Sequence, residues 1–492
     1  MTIDPSTGLI WFVEQGSNQI GAFNPANSSF SEYNIPTPNS LPETLAVDSH
    51  HNVWVSQLQY SQLGEILASN GGVLQFNIPK GPDNLDCGPI GVTPSSDGNV
   101  WITCEFSNQI DEFFPSNSSF KEFDLPVFYS APLQIVFDHQ GNFWFTAADS
   151  NMLGYVTVSQ LENGTSKGID EFSPTNQSFV TTIADPQQTS GNLISSLSTP
   201  SQLVLSPDGS TLWISEHTAS SFDSYNVKTK SLVKYWTPQT HNPNYIDSLP
   251  NGVALDKYGN LWIAEHYANK IAKFNPVTEE LTEYPIPCCV SGIAGTLYLG
   301  IAPDGDVWFT EFFGNAIGEL KVESPGATAP SPITIAFPEG SSVYNMSSSG
   351  NTSMPISVSL MSSQARNVSL SLDVSGITFT GKLENLTAAF SPSASLELAN
   401  GSSADLRLGL VSNNLAPGIH YLTISAKNTL NNVTYAAILK LNVIAGPSNA
   451  RGLLIEGGII GLAASAAVIA GMFAFFRRSR GHVPRSSRRR GR

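Results

Sequence analysis

Along the first 322 residues, apolar and polar positions alternate in short runs, and Gly, Asn, Asp or Pro ends each run. A period of two puts successive side chains on opposite faces of an extended strand, so these runs predict β-strands rather than helices. The stretch from Pro250 to Pro287 shows the unit. NGVALD reads as an apolar inner strand, and KYGN as a turn in which Gly259 is free to take positive φ. LWIAE reads as a second strand, NKIAKFNP as a third and LTEYPIP as an outer strand.

The unit recurs, and a tryptophan marks each copy: Trp11, Trp54, Trp101, Trp144, Trp213, Trp262 and Trp308. The intervals are 43, 47, 43, 69, 49 and 46 residues. Four short strands repeated at that spacing are the pattern of propeller blades, which predicts a seven-bladed β-propeller over residues 1–322. The long interval holds an insertion from Ser159 to Thr199. The seventh copy shows three strands, so its outer strand is expected from residues ahead of Met1 or from Pro332 to Phe337.

The pattern then changes. Residues 327–445 alternate strictly, as in VSLSLDVSGITFTG and IHYLTISAKNTLNNVTYAAILKLNVIA, and predict an immunoglobulin-like β-sandwich stalk. Gly457 to Phe476 is a stretch of 20 residues without a charge, long enough as a helix to cross about 30 Å of hydrocarbon. A transmembrane helix is expected over residues 453–476, followed by a basic tail over 477–492. Arginine clusters stay cytoplasmic, so the tail is expected inside and the bulk of the chain outside the cell membrane. An outside body needs an export leader, and MTIDPSTGLIW carries none, so the true start is expected upstream or the leader already removed.

Charge sharpens this picture. The net charge is −16, yet the last sixteen residues hold eight arginines and no acid. Without them, sixteen basic residues face forty acidic ones, a net of −24. Such a body repels nucleic acid and suits cations or polar neutral ligands. Charged residues are only 13% of the chain, with Ser, Thr, Asn and Gly in their place, as on many extracellular surfaces. Ten N-x-S/T sequons agree with a glycoprotein, six of them between Asn345 and Asn432. Four cysteines are too few for a disulfide scaffold and their spacings fit no zinc site. Cys87 and Cys104 fall on adjacent strands of one hairpin, where a disulfide is geometrically feasible; Cys288 and Cys289 are neighbours.

In a propeller, the entries to inner strands and the exits of second strands share one face, the default ligand site. The entries read Glu43, Asp86, Gln134, Gln202 and Asn251; the exits read Glu14, Gln57, Glu105, Glu216, Glu265 and Glu311. Two exits add an imidazole, His217 and His266, in neighbouring repeats. Carboxylates and imidazoles converging there could hold a divalent cation or perform acid/base work. Equally, the W-x-x-E glutamate is a repeat element satisfied by backbone N–H groups or solvent. No nucleophile elbow, phosphate loop or HExxH motif is present.

VWFTEFFGNAIGEL, LWIAEHYANKIAKFNP, FSEYNIPTP, FKEFDLP, LTEYPIP and the P-x-G-[IV] entries at Pro89 and Pro250 resemble the virginiamycin B lyase (streptogramin lyase) family over the repeat region. The resemblance implies a seven-bladed propeller that opens a cyclic depsipeptide by Mg²⁺-assisted elimination. It also implies a histidine base in a P-H-G-I entry and glutamates holding the metal. Here the entries read Pro42-Glu43, Pro89-Ile90, Pro132-Leu133, Pro200-Ser201 and Pro250-Asn251, and the last repeat has CCVSGIAGTLYLG, so the base is not carried over. His217 or His266 would substitute as catalytic groups, with Mg²⁺ on Glu216, Glu265, Glu311 or Glu105. Two functions remain open: a non-catalytic surface propeller binding a glycan, protein or small molecule, and a Mg²⁺-dependent lyase or lactonase-like hydrolase.

Overall fold

A computed structural model describes residues 1–157, 169–172, 197, 199–238, 248–287, 294–322, 333–337, 343–360, 368–376 and 385–444 of the chain. Seven antiparallel sheets follow one another along it among those residues, each with strands paired in sequence order. This is the all-β propeller architecture that the repeat predicts. The sixth sheet is Pro250–Leu255, Leu261–Glu265, Lys270–Asn275 and Glu280–Pro285. Gly259 in its first turn has φ +84°. The carboxylate of Asp256 accepts the N–H of Asn260 at 2.9 Å and the indole N–H of Trp262 at 3.1 Å. Trp262 can therefore be 1% exposed without stranding its donor. Asp48 and Trp54 repeat the arrangement at 2.9 Å.

Two further devices join successive sheets. The residue two places after the tryptophan is Ser56, Thr103, Thr146, Ser215 or Thr310 in five of the sheets. Its hydroxyl oxygen accepts an N–H of its own inner strand, as from Gly91 to Thr103 at 2.7 Å. In three of the five the hydroxyl also donates to the inner strand of the following sheet: Ser56 to the Ile90 carbonyl at 2.7 Å, Thr103 to Leu133 at 3.1 Å and Thr146 to Ser201 at 2.9 Å. Asparagines at the turn after the second strand, Asn18, Asn108, Asn151 and Asn269, take positive φ. Each accepts at 2.7 Å the N–H of a residue leading into the following sheet: Ser40, Ser130, Thr199 and Ala294. Asparagine tolerates that conformation and supplies the acceptor at once.

The first and last sheets meet: Ile10, Ala302 and Trp308 are buried together, and Phe23 lies 5.3 Å from Trp308 between ring centroids. The seventh sheet has three strands, Thr296–Ile301, Val307–Glu311 and Ala316–Leu320. Pro332 to Phe337 does not complete it. Ile333–Ala336 instead pairs with Gly350–Leu360 in a different sheet, where Ile333 and Ile335 reach a large apolar core.

That core lies between two sheets. One orders Ile333–Ala336, Gly350–Leu360, Ser403–Ser412 and Leu386–Ser391; the other contains Thr434–Ile444, Gly418–Asn428, Val368–Gly376 and Ser395–Leu398. The second is continuous with the propeller, because Thr434–Ile444 pairs antiparallel with the outer strand Glu280–Pro285, Glu280 opposite Ala437 and Glu283 opposite Thr434. Lys440 reaches Glu279 at 2.8 Å, and the Thr423 hydroxyl donates to the Trp236 carbonyl at 2.5 Å. Residues Met1–Gly446 accordingly form one compact unit. Cys87 and Cys104 are joined by a disulfide, with Cys87 just ahead of the strand Pro89–Pro94. No helix among the described residues is long and apolar enough to cross a membrane. The apolar segment 453–476, the basic tail, Cys288, Cys289 and most of the insertion lie outside the described residues.

Candidate functional site

Strand register separates two positions that the sequence pattern merges. The last residue of each second strand is Glu14, Gln57, Cys104, Ala147, Glu216, Glu265 or Glu311. The next residue is Gln15, Leu58, Glu105, Ala148, His217, His266 or Phe312. Glu105 thus belongs with the histidines, not with the W-x-x-E glutamates among which the sequence placed it. One residue of offset in an extended strand reverses the direction of the side chain.

The first set enters a polar ladder across its own sheet. Gln75 donates from Nε2 to Gln57 Oε1 at 2.6 Å and to Gln62 Oε1 at 3.3 Å. Glu216 is fully buried and lies 3.6 Å from Lys234, which also pairs with Asp223 at 3.3 Å. Glu265 is fully buried beside Lys270 and Glu283, which form an ion pair. Burial raises the carboxyl of Glu265 well above the usual range, with Glu283 adding repulsion and Lys270 opposing it. A lysine of the same sheet meets Glu216, whereas neither carboxylate oxygen of Glu265 has a hydrogen-bond partner among the described residues.

The second set converges with residues of the inner-strand entries. Gln15 donates to Glu43 Oε1 at 2.8 Å. Burial raises the Glu43 carboxyl to about 8, and Glu105 adds repulsion. Burial raises Glu105 to about 7, with Asp149 adding to it. Tyr298, from the seventh sheet, is raised by burial and by the charge of Glu43 from the second. Groups from the first, second, third, fourth and seventh sheets therefore share one mouth. Of the other entry residues, Gln134 Oε1 accepts the N–H of Leu203 at 2.8 Å and Asn251 donates to the Leu297 carbonyl at 2.8 Å, while Gln202 donates its backbone N–H to Ser215. Asp86 is exposed and pairs with Lys80 at 2.7 Å, away from the cluster.

His217 and His266 stack with centroids 5.4 Å apart, and His266 continues the stack onto Tyr267 at 4.6 Å and Phe313 at 5.9 Å. Burial lowers His217 to about 4, partly opposed by its hydrogen bond to the Pro250 carbonyl. Burial and then His217 lower His266 to about 3. Both rings are neutral at pH 7, and neither nitrogen of His266 has a hydrogen-bond partner among the described residues. Around this end of the propeller, loops expose Tyr60, Phe106, Phe128, Tyr129, Phe312 and Phe313. The sequence missed Gln15, Asp149 and Tyr298. Tyr298 had a signal: it occupies the position of Gly91 and Gly252, where an added Cβ would lie 2.3 Å and 2.9 Å from a neighbouring carbonyl.

Comparison with known proteins now bears on this geometry. Residues 2–169 match the virginiamycin B lyase family, and residues 134–302 match the SMP-30/gluconolactonase/LRE-like region. A streptogramin B lyase structure is 22% identical, with TM-score 0.52, and the match covers 65% of this chain and 91% of that one. Virginiamycin B lyase from Staphylococcus aureus matches at the same identity, TM-score and cover of this chain, and over 94% of its own. The propeller is virginiamycin B lyase-like. A catalytically inactive variant of the Staphylococcus aureus enzyme with quinupristin is equally similar. No curated protein matches the chain in sequence.

A virginiamycin B lyase-like propeller brings Mg²⁺ into question. The residues described here do not fit the ion. Glu216 is committed to Lys234 inside its sheet, Glu265 is fully buried in its sheet beside the Lys270–Glu283 ion pair, and no interaction joins Glu105 to Glu311 among the described residues. Among those residues, the one group of three His, Cys, Asp or Glu side chains close enough to share an ion is Cys87, Cys104 and Asp111, and its cysteines form the disulfide.

Proposed function

We propose that this chain is a membrane-anchored extracellular propeller that binds a ligand at its mouth without turning it over. The observation that carries the reading is the mouth itself. At neutral pH the Glu43 carboxyl, raised to about 8, is mostly a protonated donor, Glu105, raised to about 7, is shared between its two forms, the stacked histidines are neutral, and exposed aromatic rings rim the opening. Such a surface offers hydrogen bonds and ring faces to a polar, partly aromatic molecule. Two of the four glutamates expected to hold a metal, Glu216 and Glu265, are buried inside their sheets instead. We read the seven sheets as seven blades of one ring, and the paired sheets after residue 332 as immunoglobulin-like.

The disulfide supports an oxidising exterior. The sequons at Asn27 and Asn117 lie in exposed turns, as glycosylation requires. The uncharged segment 453–476 and the arginine tail support a single crossing with the C-terminus in the cytoplasm. The sandwich lies beside the sixth sheet rather than ahead of it, so it would act as a lateral brace as well as a spacer.

Calorimetric titration of the purified full chain with quinupristin tests the binding reading. Binding that is weakened by Glu105→Gln or Phe128→Ser supports it, and heat unaffected by both variants counts against it. A second reading, a lyase, draws on one observation: His217 and His266 are neutral at the mouth and able to accept a proton.

A further inference from the structure

The position after each second strand holds an imidazole in the fifth and sixth sheets, which pack against each other, and no imidazole in the other five. The backbone pins both histidines in the same way. His217 donates its backbone N–H to the Thr199 carbonyl at 3.0 Å and His266 to the Leu249 carbonyl at 3.2 Å, one residue ahead of each inner strand. The preceding residues, Glu216 and Glu265, turn the opposite way and are buried in their sheets.

Hydrogen bonding assigns the tautomer of His217. Its ring donates to the Pro250 carbonyl, and Nδ1 is the buried ring nitrogen without a partner, so Nε2 carries the proton and Nδ1 keeps its lone pair. His266 is 2% exposed, and neither of its nitrogens has a hydrogen-bond partner among the described residues. The ring faces of Tyr267 and Phe313 stack on it instead. Buried polar atoms are nearly always satisfied, so unpartnered nitrogens on two adjacent rings call for a ligand.

We propose that Nδ1 of His217 and one ring nitrogen of His266 form a binding site for a late first-row transition-metal ion of the zinc or copper class. Water, or a ligand in the mouth, takes the remaining positions, and the site stands whether or not the mouth binds an organic ligand. An imidazole whose other nitrogen donates to a backbone carbonyl is the usual arrangement of a metal-ligating histidine, because that bond fixes the tautomer and the ring. A metal–nitrogen bond of about 2.1 Å lets two rings share an ion with centroids up to about 6.5 Å apart. The separation of 5.4 Å lies within that reach. The broad terminal torsion of a histidine lets each lone pair turn toward the ion. Nitrogen donors without a carboxylate favour late transition metals over Mg²⁺ and Ca²⁺, which take oxygen ligands. The misfit of the glutamates to Mg²⁺ therefore leaves this site untouched.

The probe is Cu²⁺ alone, the tightest-binding ion of its series. It is added to the purified full chain carrying His50→Gln, after dialysis against EDTA and then buffer. His50 and His51 are exposed neighbours, and the substitution removes that surface pair from competition. One tight site is expected, with a paramagnetic resonance spectrum showing two coupled imidazole nitrogens, and excess Mg²⁺ is not expected to displace the ion. Adding His266→Phe, which keeps the ring stack, is expected to weaken binding at least about tenfold and to leave one coupled nitrogen. No tight binding, a spectrum without two coupled imidazole nitrogens, displacement by Mg²⁺, or equal affinity with His266→Phe overturns the proposal. The spectrum is read before His266 is changed, so the test does not depend on the folding of that variant.

Discussion

The imidazoles of His217 and His266 stack with their planes 21° apart and their centroids 5.4 Å apart, a distance that two cations would not tolerate in a buried site. Both titrate far below the ordinary histidine value of 6.5, at about 4 and about 3. Between pH 6.5 and these values the unfolded chain binds protons that the folded chain refuses. Stability is therefore full above pH 6.5 and falls as the pH drops toward 4. His266→Phe keeps the stack on Tyr267 and Phe313 and removes one titration. The urea midpoint of this variant is expected to fall less between pH 6.5 and 4.5 than that of the wild type.

Glu43 behaves in the opposite sense. Its carboxyl ionises near 4.5 when unfolded and near 8 in the fold, so between these values the folded state keeps a proton that the unfolded state has released. This contribution makes stability decline as the pH rises through that window. Glu43→Gln keeps an acceptor for Gln15 and has no charge to bury. It is expected to stabilise the protein at pH 8 and to leave it unchanged at pH 4.5, measured by urea unfolding at both.

Thr103 joins two sheets with one oxygen: it accepts from Gly91 and donates to Leu133, with no exposure. Thr103→Val keeps the shape but strands a buried N–H and a buried carbonyl, at a cost of about 2 kcal/mol. Ala264 holds the equivalent place in the sixth sheet, so Ala264→Ser is expected to be far milder than Thr103→Val. Chemical denaturation of the two variants measures the difference.

The disulfide between Cys87 and Cys104 closes a separation of 17 residues. Loop-closure entropy for such a length corresponds to about 3 kcal/mol. The double variant Cys87→Ala, Cys104→Ala is expected to unfold at lower urea concentration, and reductant is expected to affect the wild type alone.

Much of the fold was legible because a propeller repeats locally. The tryptophan spacing, the turn at Gly259 and the period-two strands each depend on neighbours in sequence, so one unit read well predicts the others. What was illegible depended on distant pairing. No local pattern tells that Thr434–Ile444 joins the outer strand Glu280–Pro285, or that Ile333–Ala336 serves a different core from the seventh sheet. The site was half legible. His217, His266 and Glu43 lie at the strand ends where the repeat puts them, but Glu105 was grouped one residue out of register. What surrounds Glu216 and Glu265, Lys234 for the one and the Lys270–Glu283 pair for the other, lies on other strands of their sheets.

Progress curves of lactone ring opening test the central claim most directly. The purified full chain is incubated with Mg²⁺ and quinupristin, and the intact ring is followed by chromatography. The account predicts that the ring persists at the uncatalysed rate while the ligand binds. Ring opening that disappears with EDTA and in His266→Ala would contradict it.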